Sequence, residues 1–110
     1  LCDASGRLGS TSAGSYAEYV TVPAVNAVSL PDSMSYAEAA CLPTVFMPSW
    51  SILVRRAALK ATETVLVLSA SSGVGTAAVQ IAKNVVRATV IATTISGSHV
   101  TTTAIDVGAR

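Results

Sequence analysis

Charge is scarce in this chain. Only 12% of its 110 residues are Asp, Glu, Lys or Arg, and the net charge is +1. No basic run occurs, and no interleaving of basic with aromatic residues, so a nucleic-acid surface is not expected. Cysteine is nearly missing too. Cys2 and Cys41 do not make a disulfide framework, and a reducing, cytoplasmic setting is expected. Apolar residues make up 51% of the chain, yet their longest runs fall far short of a membrane span, so no bilayer partner is expected. Internal repeats, low-complexity tracts and a leading signal peptide are also missing, and the start at Leu1 reads as a cut rather than a native beginning. What remains suffices for one small domain with a real core.

What is present is organised around residues 64–94, TVLVLSASSGVGTAAVQIAKNVVRATVIATT. Thr64–Ser69 is a short, nearly all-apolar, β-branched run, as expected of a strand buried on both faces. Val74, Ala77, Ala78, Ile81, Ala82 and Val85 then share one helical face, which leaves Gln80, Lys83 and Asn84 outside. Ala88–Thr94 reads as a second buried strand. Two such strands joined by an amphipathic helix predict a βαβ unit with a right-handed crossover.

The turn Ser69–Gly75 opens the helix with small residues, so backbone N–H groups at its start can approach an anion, and the helix dipole favours a phosphate there. A strict G-x-G-x-x-G is absent. Gly73 and Gly75 are equally accounted for by a tight turn that lets helix and strand pack closely. Both readings stand on the pattern alone.

Upstream, residues 1–15 read as a Ser/Gly-rich loop, Tyr16–Val22 as a strand closed by Pro23, and Asn26–Leu30 as a short extended piece closed by Pro31-Asp32. Ser35 and Glu38 fit a capping box that starts a short helix ending by Pro43. A longer helix is expected over Phe46–Ala58, with Pro48 tolerable in its first turn but not deeper. Arg55 and Arg56 near its end suit the dipole, a solvated helix end accounting for them better than phosphate binding. Downstream, Ile95–His99 reads as a loop. Val100–Val107 reads as a helix stopped by Gly108, although consecutive threonines are poor helix formers. Two parallel strands are too few for a doubly wound sheet. The chain therefore looks like part of a protein.

Taken in order, GSYAEYVTVPA, LPDSMSYAEAACLP, SWSILVRRAALKATETVLVLSASSGVGTAAVQIAK and VIATT resemble the medium-chain dehydrogenase/reductase superfamily, most closely its quinone-reductase-like and zinc-type alcohol dehydrogenase-like members. The resemblance implies an α/β fold: a partial Rossmann-type βαβ nucleotide-binding domain over residues 35–110, preceded by the end of a β-rich GroES-like catalytic domain over residues 1–34. It implies NAD(P)H-dependent hydride transfer to or from a carbonyl, enone, quinone or alcohol by the full-length protein, which would pair as a homo-oligomer. A second class of reading is a non-catalytic NADPH-binding or structural module of the same family.

The family's Gly-rich turn matches Ala70–Gly75, with Ser72 where glycine is commoner. Ser72, Gly73, Val74 and Gly75 are thereby implied as cofactor contacts. Cofactor choice depends on the end of the second strand, where an NAD enzyme places Asp or Glu about 20 residues beyond the turn. That position falls at Thr93 or Thr94, and no carboxylate occurs between Glu63 and Asp106. A neutral end tolerates a 2′-phosphate, so NADP(H) is expected over NAD(H), with Ser96 and Ser98 in place to assist. His99 stands near the family's lysine position, where phosphate contact and an exposed loop histidine both account for it.

Catalytic zinc is not expected. The family's zinc cysteine falls at Thr44, a poor ligand, and Cys41 three residues away reads as a buried apolar residue. Cys2 lies where some relatives keep the last of four structural-zinc cysteines, and is the one tentative metal ligand. Pro48 stands where the family often has a threonine near the nicotinamide. No general acid is assigned, since packing in a strand or helix accounts for Tyr16, Tyr19 and Tyr36.

Overall fold

The computed structural model describes Gly9, residues 12–96 and residues 99–105. The chain divides into two units, Leu1–Ser35 and Tyr36–Arg110. In the first, the described residues form a 3₁₀ turn at Ala24–Asn26 between irregular segments. Gly9 takes φ +77°, where glycine carries no Cβ penalty, and donates its N–H to the Ser12 carbonyl at 3.1 Å. The strand expected over Tyr16–Val22 does not form. These residues are exposed and find no partner strand among the described residues, and β-propensity without a ladder leaves the backbone to water. Tyr16 and Tyr19 are therefore unpacked, which removes the packing account given for them; Tyr36 is exposed as well.

The second unit holds the core. Helix α1 runs Tyr36–Trp50 and continues as a π-helical segment, Ser51–Arg56. It begins one residue after Ser35, where the capping-box spacing places it. It does not stop at Pro43: both Pro43 and Pro48 lie inside it. Each proline removes one i→i−4 hydrogen bond at a cost of about 3 kcal/mol. The end of the helix is held on the core, by Phe46 in α1 and by Leu53 and Val54 in the segment that continues it, whereas the turns around Pro43 are largely exposed and carry strong helix formers, Ala37, Glu38, Ala40 and Leu42. The wider last turn closes with the Ala57 N–H on the Ile52 carbonyl at 2.9 Å, five residues back.

Continuity through the prolines changes a second reading. Tyr36–Arg56 spans 21 residues at a mean hydropathy of 1.3, which by length and composition is enough to cross a membrane. The sequence shows only short apolar runs; the helix joins them. Cys41, expected to be buried, is exposed on α1, its Sγ 3.3 Å from the Ala37 carbonyl.

A turn then fixes the start of the sheet. The Glu63 carboxylate accepts the Lys60 N–H at 2.8 Å, and the Glu63 N–H returns to the Lys60 carbonyl at 3.0 Å. Strand β1 is Thr64–Val67, two residues shorter than expected. It is not buried on both faces: Val67 is 7% exposed, whereas Leu66 is 57% exposed. Helix α2, Gly73–Gln80, passes into a second π-helical segment, Ile81–Val86. Ala77, Ile81 and Ala82 are buried and Ala78 packs on the core as the apolar periodicity demands, but Val74, in the first turn, and Val85 are exposed, and Val86 packs on the core instead. The i→i+5 turn inserts one residue per revolution, so the inward position moves on by one.

Strand β2, Thr89–Ser96, pairs parallel to β1 in the register Thr64↔Thr89 to Val67↔Ala92. This is the expected βαβ unit. Strand β3, His99–Ile105, then pairs antiparallel to β2, giving the sheet order β1-β2-β3. It replaces the helix expected from Val100; of the loop expected over Ile95–His99, Ile95 and Ser96 belong to β2 and His99 to β3, while Gly97 and Ser98 lie outside the described residues. Thr101, Thr102 and Thr103 are β-branched, stiff in a helix and suited to a ladder. They sit opposite Thr94, Thr93 and Ala92, where cross-strand threonine pairs stabilise the ribbon. The end of that expected helix, at Val107 and Gly108, lies outside the described residues.

Candidate functional site

The sheet's C-terminal edge carries the site. β1 ends at Val67, opposite Ala92, so β2 runs on past it and Thr93 and Thr94 stand beside the turn that leads to α2. Ser69 turns the chain with φ +53°, a left-handed conformation that costs a non-glycine residue about 1–2 kcal/mol. The turn is tied down from several sides. Ala70 donates its N–H to the Thr93 carbonyl at 2.8 Å, and Ser72 donates its N–H to the Ser69 carbonyl at 2.9 Å. The Thr76 hydroxyl donates to the Ala70 carbonyl at 3.1 Å.

Ser72 is the N-cap of α2, its hydroxyl accepting the Gly75 N–H at 3.1 Å. The Thr76 N–H closes the first helical bond on the Ser72 carbonyl at 2.7 Å. Two further first-turn donors, the N–H groups of Gly73 and Val74, meet no acceptor among the described residues. Both belong to the orphan donors that every helix start exposes, and the helix dipole makes their surroundings attractive to an anion. Beside them the Thr94 hydroxyl donates to the Ser71 hydroxyl at 3.0 Å, with both side chains open to solvent. A groove of about 290 Å3 adjoins the turn, walled by Ile52, Leu66, Leu68, Ser72 and Val74.

The two glycines answer the packing question directly. A Cβ on Gly75 would run into the Ser69 carbonyl and stand 2.8 Å from the Ala70 Cα; one on Gly73 would stand 2.9 Å from Val45 Cγ1. Gly75 has no room because turn and helix backbones approach closely there, whereas Gly73 is crowded by the Val45 side chain of α1. The close-packing reading therefore holds for Gly75, while Gly73 packs against α1 instead. The free amides of Gly73 and Val74 are those of any helix start, a place able to receive an anion.

The structure thus brings together Ser72, Gly73, Val74, Gly75, Thr93 and Thr94. Ser96 closes β2, in register with His99 across the ribbon. Cys2 and Ser98 lie outside the described residues. Thr44 and Pro48 lie within α1. No cluster of three or more His, Cys, Asp or Glu side chains occurs among the described residues. Sequence reasoning passed over Ser71, whose partner is 23 residues away, and Ser49, whose role emerges below; neither carries a local signal.

A parallel βαβ unit whose first turn offers free amides at the sheet's carboxyl edge belongs to the class of dinucleotide-binding folds. No family model matches the chain. It is 43% identical over 91 residues to an NAD-dependent alcohol dehydrogenase from Saccharolobus solfataricus, covering 83% of this chain and 26% of that protein. It is 36% identical over 86 residues to the synaptic vesicle membrane protein VAT-1 homolog from Homo sapiens, covering 78% of this chain and 22% of that one. A solved structure, the crystal structure of CurK enoyl reductase, superposes with a TM-score of 0.57 at 44% identity, covering 64% of this chain and 21% of that chain. The chain belongs to the medium-chain dehydrogenase/reductase superfamily. It spans about a quarter of the length of these relatives.

Proposed function

We propose that the protein carrying this chain is an NAD(P)H-dependent oxidoreductase, moving a hydride to or from a carbonyl, enone, quinone or alcohol. The observation that carries this reading is the pair of unpartnered amides at Gly73 and Val74, opening α2 beside Thr94. Alcohol dehydrogenase and enoyl reductase relatives support it. A bound nicotinamide supplies the hydride chemistry. The chain's own residues do the rest. Gly73 and Val74 direct their N–H groups to the pyrophosphate, Ser72 caps the helix behind them, and Gly75 lets the turn lie close on β1. NADP(H) is the proposed cofactor, because Ser71 and Thr94 present hydroxyls rather than a carboxylate at the strand end. A structural zinc on Cys2 and a homo-oligomeric state belong to the same proposal for the full-length protein. So does a cytoplasmic location, which suits the exposed free thiol of Cys41.

Thermal unfolding with and without excess NADPH and NADH tests the reading. A ligand held only by the folded state adds roughly 2.7 kcal/mol at 100 times its Kd. A rise with NADPH that exceeds the rise with NADH is expected. A cooperative transition that neither cofactor moves would remove the cofactor assignment.

A second reading, a non-catalytic NADPH-binding module, draws on Pro48 in α1, at the family's threonine position, and on the exposure of Tyr16, Tyr19 and Tyr36. Quinone turnover by the full-length protein separates the two. NADPH consumption supports the enzyme, and binding without consumption supports the module.

A further inference from the structure

Ser49 is the one buried polar residue among those described, 2% exposed in the last turn of α1. Its hydroxyl lies 2.7 Å from the Val45 carbonyl, one turn back on its own helix, and 3.0 Å from the Val74 carbonyl on α2. A hydroxyl has one proton to give. Back-bonding to Val45 alone would satisfy it, as it does for many helical serines. The Val74 contact is thus an addition that self-satisfaction does not require.

Val45 makes the companion contact. It stands where a Cβ on Gly73 would come to 2.9 Å of its Cγ1. Residues 45 and 49, one turn apart on α1, therefore bear on residues 73 and 74, which follow one another at the start of α2. These are the two residues whose amides are free. Val45 leaves no room for a side chain on Gly73, and the single Ser49 proton is shared between the Val45 and Val74 carbonyls in a three-centre bond, so together they tie the first turn of α2 to α1. Apolar packing between helices is non-directional and fixes that turn less closely.

We propose that Ser49, seated beside Val45, is a positioning residue that holds the Gly73 and Val74 amides in place for the cofactor's pyrophosphate. The inference rests on the dinucleotide reading above. Donors aimed in advance bind charge without reorganisation, and a site held by its supporting shell loses affinity when that shell loosens.

The test uses the full-length protein, titrated with NADPH and with adenosine 2′-phosphate, which keeps the ribose phosphate and lacks the pyrophosphate. Ser49→Ala is expected to raise the Kd for NADPH roughly three- to tenfold, the scale of one ordinary hydrogen bond, and to leave that for adenosine 2′-phosphate unchanged. Ile81→Val, a core truncation away from the turn, should change neither. Gly73→Ala should weaken NADPH in the same way, and adding Val45→Ala should restore it by clearing the space; Ser49→Cys, which keeps the volume but donates weakly, should weaken NADPH likewise and carries the test of Ser49 should Ser49→Ala not fold. Equal loss for both ligands, or no loss and no restoration while the parent protein binds NADPH, overturns the inference. A parent protein that binds no NADPH overturns the dinucleotide reading itself, and this inference with it.

Discussion

The hydroxyl of Thr94 donates to that of Ser71 across 3.0 Å, joining the end of β2 to the turn before α2. The pair brings two small polar groups to the strand end where the proposed cofactor would set its ribose. It also leaves that place uncharged. Thr94→Glu should invert the cofactor preference. A carboxylate there repels a 2′-phosphate and suits ribose hydroxyls, so NADPH should bind about tenfold more weakly or worse, with NADH unaffected or improved. Paired Kd measurements for the two cofactors check this.

Gly75→Ala should be the most damaging small change in the unit. The new Cβ meets the carbonyl of Ser69 and the Cα of Ala70, both backbone, which cannot swing aside. A loss of about 1–3 kcal/mol or more is expected, read from denaturant midpoints at constant m. Gly73→Ala presses on a single Val45 methyl, and should cost less.

Ser72→Ala removes the side-chain acceptor of the Gly75 N–H. Loss of such a cap costs about 1 kcal/mol, and the same denaturant series measures it.

Pro43→Ala should stabilise the unit. Pro43 sits inside α1 with no N–H to give, and alanine restores an i→i−4 bond and a strong helix former. The gain has an upper bound of about 3 kcal/mol. A higher Tm with unchanged cofactor affinity is the expected result. An unchanged Tm would mean that the helix had already absorbed the proline.

By itself the sequence determined what depends on neighbours along the chain. The βαβ order, the residues of the turn before α2, the start of α1 after Ser35 and the inward set Ala77, Ile81 and Ala82 all follow from local periodicity and capping. The superfamily, too, is legible in the order of its segments. Tertiary structure decided what depends on partners distant in sequence. It carries α1 through Pro43 and Pro48 into a C-terminal end that packs on the core at Phe46, Leu53 and Val54. It makes Thr101–Thr103 a strand, because a ladder with β2 is available to side chains that favour one. The Tyr16–Val22 segment stays irregular for the converse reason: no described strand lies beside it. Through a π-turn it passes the inward position from Val85 to Val86. It also pairs Ser71 with Thr94 and aims Ser49 at Val74, contacts across 23 and 25 residues. Hydrogen bonds within a turn leave a mark on the local sequence; those that close between separate elements do not.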